Sequence, residues 1–166
     1  GYLPGDYYDL GNKESPTFYG DQEQLEAALQ ALNTQGIAPI ADIVINHRCA
    51  GKQDSNGIWN IYHFPSGKAK WEQWAVCSGN FGGTGNADTG EGFHAAPDID
   101  HTNTKVREDI VEWLNWLKSL GFKGWRYDYS KGYAAKYAGY YDDKSSPLFS
   151  VGEVWANMAF QGSYLK

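Results

Sequence analysis

Residues Ile37–His47, IAPIADIVINH, decide the fold: a nearly unbroken apolar run rich in β-branched side chains that ends in two polar ones. Such a run, lacking the alternation of a half-exposed strand, predicts a parallel strand over Ile37 to Ile45 buried on both faces. Immediately upstream, GDQEQLEAALQALNTQG (Gly20–Gly36) opens with acidic residues and sets Leu25, Ala28, Leu29 and Leu32 at helical spacing. That is the pattern of an amphipathic helix leading into the strand.

After Arg48 the character changes. Residues 49–101 are rich in Gly, Asn, Asp and aromatics without sustained periodicity, which predicts a loop-rich excursion with at most short strands. So long a stretch without regular elements needs another stabiliser, and a bound metal is a candidate. Periodicity returns in NTKVREDIVEWLNWLKSLG (Asn103–Gly121), where Val106, Ile110, Trp113, Leu114 and Leu117 share one helix face and Gly121 stands just past the end. GWRYDYS (Gly124–Ser130) then reads as a strand, KGYAAKYAGYYDD (Lys131–Asp143) as a weaker helix and LFSVGEVW (Leu148–Trp155) as another strand. Strands alternating with helices imply right-handed βαβ units and an α/β fold, either a doubly wound open sheet or part of a (β/α)₈ barrel. Gly82, Gly83 and Gly85 do not bridge a strand and a helix, which argues against a dinucleotide site.

Composition narrows the function. The chain has 166 residues with a net charge of −6, and its 14 basic residues are scattered, so neither a nucleic acid nor an anionic membrane is expected as a partner. No apolar run reaches the ~18 residues of a membrane helix. Cys49 and Cys77 have no partner at metal-ligand spacing and read as free thiols. Aromatic residues make up 16% of the chain, more than a small core requires, so many rings are expected to work at the surface.

In parallel α/β folds the chemistry stands at the C-terminal ends of the strands. There the first strand presents Asn46 and His47 and carries Asp42 within; the second carries Arg126 and Asp128; the third carries Glu153 and Trp155. Asp42 on its own reads as one half of an ion pair with a buried basic group. Asp128 and Glu153 lie twenty-five residues apart, one βαβ unit, so their strands can be neighbours roughly 4.8 Å apart. Two carboxylates at adjacent strand tips approach the ~5–5.5 Å of a retaining glycosidase. Arg126, two residues away on the same face, is expected to keep Asp128 ionised as nucleophile. Glu153, beside Val154 and Trp155, is expected to be desolvated and to hold its proton as acid. His47 stands where it could hydrogen-bond a sugar hydroxyl.

Three segments, ADIVINH (Ala41–His47), GWRYDYSKGY (Gly124–Tyr133) and GEVW (Gly152–Trp155), resemble in order and spacing three of the four signature segments of α-amylase-type glycoside hydrolases. GYLPGDYYDL at the start and HAAPDIDH (His94–His101) resemble the plant and algal branch, so the likeness covers nearly the whole chain. The resemblance implies Asp128 as nucleophile and Glu153 as general acid and base, with Arg126 orienting the nucleophile. It implies that His47 and Tyr2 hold and stack against the sugar, and that Lys131 and Trp155 line the product side. It also implies one structural calcium held by Asn46, Asp88, Asp98 and the backbone carbonyls of Glu91 and Gly132, a set of hard oxygens suited to Ca²⁺. HFPSGKAKWEQW (His63–Trp74) and Gly92 lack the acids for further calcium ligands.

On this reading the fold is a partial (β/α)₈ barrel, about strands two to five. Residues 1–48 and 102–166 are the barrel segment, and 49–101 a calcium-binding domain inserted after strand three. Gly1 would stand near the tip of strand two. The fourth signature segment, with a third carboxylate, would follow Lys166, so the isolated chain is expected to be inactive and aggregation-prone, an apolar inner sheet face lying open. The implied reaction is retaining hydrolysis of internal α-1,4-glucosidic bonds of starch or a related α-glucan, by an enzyme that is monomeric at full length and either secreted or plastidial. A sibling activity, transglycosylation or debranching, shares every residue named, and a silent glucan-binding module is the reading from a different class.

Overall fold

The computed structural model describes residues 2–157, 160–162 and 164–165. The expected strand tip at Gly1 lies outside the described residues. Helix α1 (Gln22–Thr34) starts where Asp21 accepts from the Gln24 N–H at 2.9 Å and the Gln24 side chain accepts from the Asp21 N–H at 3.1 Å, a reciprocal cap. Strand β1 (Ile40–Ile43) follows. The excursion contributes only a short antiparallel hairpin, β2 (Lys52–Gln53) with β3 (Trp59–Ile61), and a 3₁₀ turn at Gln73–Ala75. Helix α2 (Thr104–Leu120) is capped by Asn103 and closed by Gly121 at φ +124°, and all five of its predicted apolar positions are buried. Strand β4 (Gly124–Tyr127), helix α3 (Ala135–Ser145), strand β5 (Phe149–Gly152) and a hairpin of β6 (Phe160–Gln161) and β7 (Tyr164–Leu165) complete the order.

The central sheet is parallel, in the order β1-β4-β5, with Asp42 opposite Arg126 and Arg126 opposite Val151. Its two faces differ. Ala41, Ile43, Trp125 and Tyr127 point into a core shared with Val106, Ile110 and Leu114 of α2 and Tyr137 and Tyr141 of α3. Ile40, Asp42, Phe149 and Val151, on the opposite side of their strands, are exposed. The expectation of a first strand buried on both faces is therefore corrected. β1 is only four residues long and alternates, because nothing among the described residues covers its other face.

The rings divide: Tyr7, Trp71, Trp113, Trp125, Tyr127, Tyr133, Tyr137 and Tyr141 are core residues, whereas Tyr2, Phe18, Tyr19, Trp59, Trp74, Phe149 and Trp155 are exposed. Two core indoles are matched internally, the Trp113 indole donating to the Tyr7 carbonyl and the Trp125 indole to Ser145 Oγ, both at 2.8 Å, whereas the Tyr133 hydroxyl is buried without a hydrogen-bond partner. Trp71 ties the excursion to α2 by donating to Asp109 Oδ2 at 2.8 Å. Arg48 ties it to the N-terminal segment, donating to the carbonyls of Gly5 at 2.7 Å and Ala69 at 2.6 Å while its guanidinium sits 4.8 Å from the Phe64 ring. Cys49 and Cys77 are free.

Candidate active site

The tips of β1, β4 and β5 bring three carboxylates around one guanidinium. The parallel register that pairs Tyr127 with Gly152 sets Asp128 and Glu153 side by side, each one residue past its strand. Arg126 Nη1 lies 2.7 Å from Asp128 Oδ1 and 2.7 Å from Asp42 Oδ1, and its Nη2 lies 2.5 Å from Glu153 Oε1. Tyr2 closes the group: its hydroxyl donates to Asp42 Oδ2 at 2.9 Å, and its ring lies 5.6 Å from the guanidinium. Asp128 and Glu153 are bridged by the two nitrogens of the one guanidinium.

The pKa shifts run opposite to the expected division. Burial raises the pKa of Asp128, and the neighbouring Glu153 adds to this against the opposing Arg126. For Glu153, burial also acts to raise the pKa, but the Tyr129 N–H, the Trp155 side chain, Arg126 and Asp128 outweigh it and hold the carboxyl below the ordinary glutamate value. Val154 and Trp155 are exposed, and Glu153 is the less buried member of the pair.

The other expected residues divide between this cluster and its rim. His47 is 1% exposed, its Nε2 2.8 Å from the Tyr2 carbonyl and its ring stacked on Phe93 at 4.0 Å, so both its edge and its face are occupied inside the protein. Lys131 donates to Glu91 Oε1 at 2.8 Å. Trp155 stands exposed at the edge.

A second convergence lies behind His47, where the β1 tip, the excursion and the turn after β4 meet. Asn46 Nδ2 donates to Asp98 Oδ1 at 3.0 Å, while its Oδ1 is buried without a hydrogen-bond partner. A Cβ on Gly132 would fall 1.9 Å from that orphaned oxygen, and one on Gly90 would fall 2.3 Å from the Gly132 carbonyl carbon, so only glycines permit this approach. The Glu91 N–H donates to the Lys131 carbonyl at 3.0 Å. Burial first, and the negative charge of Asp88 after it, push the Asp98 carboxyl up to about 6. An unpaired amide oxygen beside two mutually repelling carboxylates suits a hard cation. No group of three or more His, Cys, Asp or Glu forms among the described residues, so amide and backbone oxygens would have to complete the shell.

Residues 1–159 match the family model described as alpha amylase, catalytic domain. The chain belongs to this family. It is 39% identical to Alpha-amylase 3, chloroplastic, of Arabidopsis thaliana over 96% of this chain and 18% of that protein. It is also 39% identical to Probable alpha-amylase 2 of the same plant over 98% of this chain and 38% of that protein. The chain thus spans well under half the length of these relatives. Among solved structures, an alpha-amylase from Malbranchea cinnamomea superposes with a TM-score of 0.61 at 24% identity, covering 94% of this chain and 32% of that one.

Two contributors to this alpha-amylase-family site escaped the sequence reading. Asp42 does pair with a basic group, Arg126, as its place in the strand predicts, but the pair stands beside Asp128 and Glu153. The legible signal for more was its position, an acid within an apolar strand, in register with Arg126. The other is Tyr129, next to Asp128, whose backbone conformation, φ +44° and ψ +46°, has no signal in the residue type.

Proposed function

We propose that these residues form part of a (β/α)₈ barrel of an alpha-amylase, with β1, β4 and β5 as its third, fourth and fifth strands and residues 49–101 inserted after the third. The enzyme hydrolyses internal α-1,4-glucosidic bonds of starch with retention of configuration. Asp128 attacks the anomeric carbon and forms a glycosyl ester. Glu153 gives its proton to the departing oxygen, then takes one from the water that cleaves the ester. The supporting observation is the pair itself: two carboxyls each one residue past neighbouring parallel strands and bridged by Arg126. Strands roughly 4.8 Å apart suit the ~5–5.5 Å of a retaining pair better than the ~6.5–9.5 Å of an inverting one. Glu153 is held below the ordinary glutamate value in the free site, so a bound sugar must raise it before it can serve as acid. Tyr2 and Trp155, both exposed, are rings available to a sugar face, and Lys131 lies at the rim. His47 reaches a sugar only if the Tyr2 carbonyl or Phe93 yields.

The test is Asp128→Asn and Glu153→Gln in the complete enzyme that contains this sequence. Turnover of starch should fall by a factor on the order of 10⁴ with substrate binding retained; undiminished turnover in either variant overturns the assignment.

We further propose a structural calcium held by Asn46 Oδ1, Asp88, Asp98 and the carbonyls of Glu91 and Gly132. Bound there, it would neutralise the carboxylates and fasten the excursion to the strand tips. Chelation should lower the melting temperature of the enzyme, and restored calcium should recover it; no shift under excess chelator refutes the site. The plastid-named relative makes a plastid the proposed location.

A further inference from the structure

Tyr129 is a tyrosine held in the left-handed backbone region, directly after the proposed nucleophile. That conformation turns two successive N–H groups toward one residue. The Tyr129 N–H donates to Glu153 Oε2 at 3.2 Å, and the Ser130 N–H donates to the Glu153 carbonyl at 2.9 Å. Ser130 Oγ adds a third donor to the same carbonyl at 2.7 Å. A side chain in this region is strained, and bulky or β-branched residues adopt it least readily. The tyrosine is anchored at its far end: its hydroxyl donates to the Gly92 carbonyl at 3.3 Å, and its ring meets Phe93 edge-on at 5.3 Å. Phe93 in turn is stacked on His47.

We infer that Tyr129 is a positioning residue for Glu153, its left-handed turn aiming two backbone donors at the acid while its ring, docked on Gly92 and Phe93 of the excursion, holds that turn in place. This rests on the reading of Glu153 as acid and base. A carboxyl gripped at both its side chain and its backbone carbonyl keeps one orientation through the two proton transfers, and misplacing the acid by a fraction of an ångström is costly. Strain of this kind persists where surrounding contacts enforce it, and here those contacts come from the excursion.

The test separates backbone conformation from ring packing. Tyr129 is replaced by Gly and Asn, which accept the left-handed region, and by Ala and Val, which resist it. Each variant is assayed in the complete enzyme on starch and on α-maltosyl fluoride, whose leaving group needs no proton. The activity ratio, starch over fluoride, should fall in the order Gly and Asn, then Ala, then Val, with Val about tenfold or more below Gly. The alkaline limb of kcat/KM on starch should move to higher pH in Val, since the lost donors had favoured the ionised carboxylate. A loss that follows side-chain size instead, with Gly worst and no change in the ratio, overturns the inference. Should Val not fold, Ala against Gly decides by the same ratio. Glu153→Gln is the control: if it depresses kcat/KM, which reports formation of the glycosyl ester, equally on starch and fluoride, the acid assignment fails rather than the role of Tyr129.

Discussion

The two faces of the three-stranded sheet are made by the same twelve residues and do opposite work. Behind, Ala41, Ile43, Trp125 and Tyr127 lie within a closed core under α2 and α3. In front, Asp42 and Arg126 lead toward the carboxylate pair, flanked by the exposed Ile40, Phe149 and Val151. Alternation along each strand makes this division possible, one residue in two being free of packing duty. Charges that would be expensive in the rear core share a single guanidinium at the front, where solvent still reaches Arg126 and Glu153, with side-chain exposures of 27% and 24%.

The largest break of this contrast is Trp125→Ala. Its side chain is fully buried, and its loss leaves a cavity and takes the indole donor from Ser145 Oγ. A cost of about 3–5 kcal/mol is expected, read as a lowered denaturation midpoint. Val151→Ala probes the front face. In the 166-residue chain alone it should cost only a few tenths of a kcal/mol, since Val151 is 45% exposed. In the complete enzyme, closure of a barrel over the same residue raises the expected cost to about 1–2 kcal/mol. Equal small costs in both would remove the closed barrel.

What was legible in the sequence follows the same division. The rear face and its helices were readable because packing writes a period into the chain: the five apolar positions of α2 and the capping Gly121 fall where their spacing puts them. The pairing of Asp128 with Glu153 was readable too, since one βαβ unit sets neighbouring parallel strands. Three features left no such trace. The length and exposure of β1 depend on what covers the sheet, not on the strand's own residues. The charge states of the pair depend on where Trp155 points and on how Arg126 divides its donors among three acids. The turn at Tyr129 is enforced by contacts from Gly92 and Phe93, thirty-seven and thirty-six positions away in the chain.

The smallest expected effect tests how the front face shares its one cation. Asp42 and Asp128 both draw on Arg126 Nη1, each at 2.7 Å. Asp42→Asn keeps the shape and removes the charge, so the guanidinium is left more fully to Asp128 and a nearby negative charge is gone. Both changes favour the ionised form of Asp128. The pKa of Asp128, which burial now raises, should therefore fall, and activity should persist to lower pH on the acidic limb of kcat/KM. Stability should change by no more than about 1 kcal/mol, because the Arg126–Asp42 pair is partly exposed. Tyr2 loses a charged acceptor in the same variant, so KM should rise if that ring meets the sugar, and Tyr2→Phe should reproduce the rise in KM without moving the acidic limb. An acidic limb that stays in place in Asp42→Asn would mean that Arg126 is tied to Asp128 and Glu153 alone, and that Asp42 belongs with the structural residues behind the sheet despite its place in front.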